Sequence, residues 1–198
     1  MCSSDLDLVD GGGRERVTLA VPGEHMIGNA LAAAAVGLEL GIPVEACAEA
    51  LARATVSRWR METFETTGGV IVLNDAYNAN PESMAAALKA ATVMAGDRRV
   101  VAVLGQMAEL GDIGPEAHER VGELAARLGV ERLITVGTEA KSIAAAGLRE
   151  GFEPDAVATY DDVDAALEDV RSHVRPGDLV LVKGSRIAGL ETLAEALR

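Results

Sequence analysis

The sequence predicts an α/β protein: a Rossmann-like, doubly wound, mostly parallel sheet preceded by a short helical segment. Three observations predict it. From residue 70 onward, short β-branched apolar runs alternate with helical stretches of roughly 10–15 residues, the mark of successive βαβ units. Those runs are apolar throughout rather than alternating, as in strands covered by helices on both faces. Hydrophobic residues make up 49% of the 198 and charged residues 25%, proportions of a globular chain that buries roughly 70% of its unfolded surface.

The elements follow in order. Residues 1–13 end in Gly11-Gly12-Gly13 and read as a disordered leader or as sequence foreign to the fold. An alternating run at 17–21 suggests a strand stopped by Pro22-Gly23. Ala- and Leu-rich residues 29–40 make a buried helix ended by Gly41, and Pro43 opens a second helix over 44–54. Strands are expected at 70–73, 99–104, 132–136, 155–160 and 179–182, with helices over 81–94, 115–128, 139–150, 162–174 and 187–197. In such a sheet ligands bind beyond the carboxyl ends of the strands. That rule selects the loops 74–81, 105–114, 137–138 and 183–186.

Composition excludes several functions. With 18 basic against 31 acidic residues the net charge is −13, which opposes nonspecific binding to nucleic acid or anionic membranes. Aromatics are 3% of the chain, too few for a base-stacking ladder. No apolar run approaches the ~20 residues needed to span a bilayer, and the acidic start MCSSDLDLVD lacks the pattern of a secretion signal. Two cysteines, Cys2 and Cys47, form neither a disulfide framework nor a metal knuckle, so a cytoplasmic setting is expected.

Candidate chemistry concentrates in the strand-end loops. Asn74 to Pro81 gathers an acid, a tyrosine and three asparagines where an apolar strand meets a helix. Asn80 with Pro81 is a good helix cap, but capping needs one polar residue, not five. In the second loop, Gly105 and Gly111 frame Glu109, and the next helix carries His118, which reads either as a satisfied interior residue or as part of the site. Lysine occurs three times, at 89, 141 and 183. Lys183-Gly184-Ser185-Arg186 thus places two cations, a flexible glycine and a hydroxyl at a strand end in an acidic protein, a local anion site. Upstream, Gly23-Glu24-His25 precedes a helix bearing Asn29, and 57–62 holds the single tryptophan with Arg58 and Arg60, readable as a hinge with an arginine available to phosphate. No G-x-x-x-x-G-K-[ST] phosphate loop occurs, since no lysine follows a glycine, and no G-x-G-x-x-G follows the first strand of the sheet.

The runs GEHMIGNALAAAAVGLELG (23–41), SRWRME (57–62), NDAYNANPESMAAAL (74–88), LGQMAELG (104–111) and LVKGSRIAGLE (181–191) resemble the second half of the Mur ligases, and most closely the branch that adds D-alanyl-D-alanine. The resemblance implies that 14–62 is the end of the central ATP-binding domain and 63–198 the C-terminal domain. It implies ATP-driven amide formation in peptidoglycan synthesis: the carboxylate of a UDP-N-acetylmuramoyl tripeptide is phosphorylated, and D-alanyl-D-alanine attacks the acyl phosphate. ATP and Mg2+ are the implied cofactors, with the phosphate loop and magnesium ligands upstream of this chain, so the chain alone is expected to be inactive and to hold no metal. The full-length enzyme is expected to be a monomer in the cytoplasm.

Carried onto matching positions, the resemblance puts His25 and Asn29 at the adenine and Arg60 at the ATP phosphates. Met26 stands where an asparagine is usual. Asp75 is implied at the ribose, with Tyr77, Asn78 and Asn80 shaping the nucleotide side. Lys183, Ser185 and Arg186 line the amino-acid side, Lys183 and Arg60 being the implied catalytic cations. Glu109 and His118 match substrate-side motif positions. Read without the resemblance, the same loops also fit a stand-alone Rossmann-like module that binds a nucleotide or a small acid.

Overall fold

The computed structural model describes residues 4–11, 13–20, 24–55 and 57–198, with the side chains of Ser4, Glu24 and His25 outside the description. The chain divides into two units, 1–57 and 58–198.

In the first unit, β1 (Ser4–Val9) pairs antiparallel with β2 (Arg14–Leu19). Residues 4–9 are thus a strand, where the sequence reads as disordered. Asp5 and Asp7 alternate with Leu6 and Leu8, the period of a half-buried strand. Leu8 is buried with Val17 and Leu19, while Asp7 meets Arg14 at 2.6 Å and Asp5 meets Arg16 at 3.4 Å across the ladder. Two helices follow, α1 (Glu24–Glu39) and α2 (Val44–Ala52). α1 starts five residues earlier than the Ala-rich run suggests, and it is not buried all round: Ala30 and Ala34 face the core, whereas Leu31 and Val36 are exposed. Gly37 lets the helices approach, because a Cβ there would lie 2.8 Å from Cys47 Sγ.

The second unit holds a six-stranded sheet in the order β3-β4-β8-β5-β6-β7. Its strands are β3 (Glu62–Glu65), β4 (Ile71–Asp75), β5 (Val100–Gly105), β6 (Arg132–Val136), β7 (Val157–Tyr160) and β8 (Leu179–Lys183). All pairs are parallel except β3 with β4. The helices are α3 (Pro81–Ala95), α4 (Gly114–Arg127), α5 (Lys141–Glu150), α6 (Val163–His173) and α7 (Leu190–Ala196). Val72, Val101, Val103, Val180 and Val182 pack against α6 and α7 on one face. Alternate residues such as Leu73, Ala102 and Leu181 point to the other face, toward α3, and are fully buried too. The sheet is thus doubly wound, as expected.

Two differences have clear causes. β3 is a short edge strand whose glutamates masked its alternation, and it turns into β4 through Gly69 at φ +74°. The compact unit that holds the sheet takes in 58–61, because this segment bonds to the end of β4: Met61 N donates to Asp75 Oδ1 and Tyr77 N to Trp59 O, each at 3.0 Å. Short 3-10 turns at Pro154–Ala156 and Arg186–Ala188 also delay β7 and α7 by two and three residues.

At the amino end of the sheet, Arg132 grips Asp169 through Nε at 2.9 Å and a terminal nitrogen at 2.6 Å, and Tyr160 donates to the same carboxylate at 2.6 Å. Burial pushes Asp169 up, but the Arg132 and Tyr160 bonds outweigh it and hold the carboxyl below its ordinary range.

Candidate functional site

The chain runs from β4 to β5 by skipping one position, and β8 later fills it. That gap is the switch point where an open α/β sheet forms its binding crevice. Register then dictates the central contact. Asp75, the last residue of β4, stands directly opposite Lys183, the last residue of β8. Lys183 Nζ lies 2.5 Å from Asp75 Oδ2 and 2.9 Å from Asn78 O. The lysine side chain is 2% exposed and the aspartate 14%, so neither charge is tolerable without the other. Asp75 Oδ1 accepts the Met61 amide at 3.0 Å. One carboxylate therefore fixes both the cation of the VKGSR loop and the segment 58–61. In that segment Trp59 and Met61 have φ of +62° and +50°, a conformation that bulky residues keep only where their surroundings impose it. The resemblance implies a nucleotide role for Asp75 and an amine-side role for Lys183, and the structure joins the two in one ion pair.

Ser185 ties the remaining loops together. Its N–H donates to Gln106 O at 2.9 Å, and its hydroxyl accepts the Ala108 amide at 2.9 Å and donates to Ala79 O at 3.3 Å. Gly184 serves close approach rather than flexibility. A Cβ on it would sit 3.1 Å from Gly105 Cα, and one on Gly105 would sit 2.8 Å from Ala188 Cβ. The β5 and β8 loops can touch only because both residues are glycine.

Around this centre lie the remaining predicted residues. Arg60 is exposed and stacks 4.0 Å above the Tyr77 ring. Arg186 stacks 4.2 Å from the Trp59 ring and reaches Glu191 at 3.7 Å. Each guanidinium is oriented by an aromatic face yet open to solvent, as an anion-binding arginine must be. Asn78 presents its carbonyl to Lys183, and its Oδ1 accepts the Ala79 amide at 2.9 Å. Asn80 caps α3: Oδ1 accepts Ser83 N at 2.7 Å, and Ser83 Oγ accepts Asn80 N at 3.0 Å. Glu109, at φ +64°, lines a cleft of about 420 Å³ with Glu139 and Ser142. His118 borders that cleft but is 1% exposed.

Asn29 belongs to the other unit, where it lines an apolar cavity of about 180 Å³ with Met26 and Leu51. The His25 side chain lies outside the described residues.

Sequence reasoning missed the supports. Glu195 holds Arg58 at 3.1 Å and the Trp59 indole N–H at 3.3 Å, and Glu62 accepts the Trp59 amide at 3.2 Å. Burial pushes Glu62 up, and bonds from Arg198 and Trp59 overcome this to hold it low. Nothing in the local sequence marks Glu195 as a support, since Arg58 and Trp59 lie more than 130 positions away. Among the described residues no three acidic, histidine or cysteine side chains gather as a metal set, and no helix is long and apolar enough to cross a membrane.

Comparison with known proteins gives a family model described as Mur ligase, glutamate ligase domain, which matches residues 59–186. A UDP-N-acetylmuramoyl-tripeptide--D-alanyl-D-alanine ligase from Mycobacterium tuberculosis is 48% identical over 200 residues, covering 91% of this chain and 39% of the relative. The enzyme of that name from Escherichia coli is 36% identical over 184 residues, again covering 39% of its length. Among solved structures, a crystal structure of MurF from Acinetobacter baumannii superposes with TM-score 0.86 at 28% identity, covering 99% of this chain and 42% of that one. MurF ligase from Thermotoga maritima in complex with ADP gives 0.80 at 25% identity, covering 99% and 43%. The chain thus spans 39% of the length of the curated relatives it matches.

Proposed function

This chain belongs to the Mur ligase family, and from that premise we propose that it forms the amine-accepting part of a ligase that joins D-alanyl-D-alanine to a UDP-N-acetylmuramoyl tripeptide at the expense of ATP. The observation that carries the reading is the cluster at the sheet's switch point, where Lys183 bonds the β4 loop, Ser185 bonds the β5 loop and two oriented arginines lie open to solvent. The relatives named for this ligation support the substrates, and the ADP-bound relative supports the nucleotide. The setting we propose is the cytoplasm, with the ligase working as a monomer.

ATP supplies phosphoryl activation of the tripeptide carboxylate, and this chain supplies position and charge. Arg60, held over Tyr77, reaches the phosphates. Asn29, with His25, takes the adenine: the cavity beside Asn29 is apolar with one amide at its wall, which suits a base edge. Tyr77, Asn78 and Asn80 shape the nucleotide side. Asp75 keeps lone pairs free on both oxygens and can still meet a ribose hydroxyl. Lys183 sets the local potential from its buried ion pair, while Arg186 and the loop bearing Glu109 border the incoming dipeptide. Among the described residues no three acidic, histidine or cysteine side chains gather to hold Mg2+.

With no phosphate-loop motif in its sequence, this polypeptide alone is expected to release no ADP when given ATP, magnesium, nucleotide-tripeptide and D-Ala-D-Ala. ADP release by the chain alone would contradict that division of labour. Tight binding of a nucleotide or small acid without ligation in any assembly would favour a stand-alone module instead.

A further inference from the structure

Three consecutive residues after β5 are held from two sides. Gln106 O and Ala108 N bond to Ser185, and between them Met107 N donates to His118 Nε2 at 2.9 Å. The next residue is Glu109, at φ +64°, a left-handed conformation that a loop keeps only when its neighbours fix it. His118 provides the clamp from the first turns of α4. An amide N–H can only donate, so Nε2 must be the lone-pair nitrogen, and the ring proton sits on Nδ1, 2.7 Å from Gly114 O. Both ring nitrogens are spent inside the protein, and the imidazole offers a ligand nothing. Met107 is itself 1% exposed, so an unpaired amide there would strand a buried donor.

We propose that His118 is a positioning residue: its neutral, Nδ1-protonated ring pins the Met107 amide and thereby shapes the cleft wall that carries Glu109, on the amine side of the ligation. The assignment to the amine side rests on the ligase reading above, whereas the pin itself does not. Glutamine at 118 can extend an oxygen to where Nε2 stands and accept the Met107 amide. Asparagine is too short, reaching only the Gly114 carbonyl. A residue that merely filled space would show no such order.

Two measurements test this. On this chain, imidazole 15N shifts should report the Nδ1-H tautomer, and the Met107 amide should resist hydrogen exchange, lose protection in H118N and regain it in H118Q. An Nε2-H tautomer, or a freely exchanging Met107 amide in the unsubstituted chain, would overturn the pin without any variant having to fold. In a chimera where this chain replaces the matching part of the Mycobacterium tuberculosis relative, H118N should raise KM for D-Ala-D-Ala about tenfold, the loss of one buried hydrogen bond. KM for ATP should change less than about twofold, and H118Q should restore most of the loss. Equal damage from both variants, or equal shifts in both KM values, would overturn the amine-side role. A chimera inactive before substitution would defeat the ligase reading, and the exchange data would still decide the pin.

Discussion

Replacing Asp75 with asparagine should unfold the 58–198 unit far more readily than its partial exposure suggests. Asparagine preserves the oxygen that accepts Met61 N but turns a neutral amide toward Lys183. The lysine is 2% exposed and keeps among the described residues only the Asn78 carbonyl at 2.9 Å. Stripping one partner from a buried pair costs about 3–5 kcal/mol, because the survivor is an uncompensated charge in a poor solvent. For a unit of this size that lowers the melting temperature by roughly 10–20 °C. Trp59 is the chain's single tryptophan and lies in this unit, so its fluorescence during urea or thermal unfolding reports the right transition. Lys183→Met in the same background removes the stranded charge, and the double variant should regain at least half the loss. A cost for Asp75→Asn below about 1 kcal/mol, or a double variant that loses the sum of the two single losses, would refute the buried pair's role.

Gly105→Ala should cost about 1–3 kcal/mol by overpacking, since its Cβ would press to 2.8 Å from Ala188 Cβ and 3.0 Å from Leu190 Cδ1; an unchanged unfolding midpoint would show that the β5 and β8 loops do not need this approach. Asp169 sets an acid limb. Its carboxyl is held below the ordinary aspartate range, so its stabilisation is complete above about pH 4 and is lost as pH falls through the lower folded value. The stability gap between the unsubstituted chain and Asp169→Asn, followed by urea unfolding from pH 6 to pH 2, should therefore narrow at the acid end; a constant gap would contradict the assignment. Asn29→Ala, in the chimera described above, should raise KM for ATP and leave that for the dipeptide unchanged, and the reverse pattern would move Asn29 to the other substrate.

Much of the fold was legible because its strands are short, continuous, valine-rich apolar runs, such as Val100–Gly105 and Leu179–Lys183, that alternate with helical stretches as in a covered parallel sheet. The Asn80-Pro81 cap was equally plain. What escaped was either short or long-range. β3 has four residues, two of them glutamates, and β1 was hidden by the glycines that follow it, although Asp-Leu-Asp-Leu already alternates with period two. The site's residue types were readable at the strand ends, but not their partnerships. Asp75 and Lys183 are 108 positions apart, and only the β4 to β8 register makes them one group. Gly184 read as a flexible residue because its neighbour Gly105 comes from another strand. His118 could be flagged as a histidine near the sheet's edge, yet its role depends on which amide its ring meets.

Amine selection by that chimera tests the assigned site most directly. Supplied with ATP, magnesium and UDP-N-acetylmuramoyl tripeptide, it should form the amide with D-Ala-D-Ala and refuse glutamate, and Lys183→Met should abolish product while the nucleotide still binds. Acceptance of glutamate with refusal of D-Ala-D-Ala, or full activity after Lys183→Met, would contradict the site as assigned.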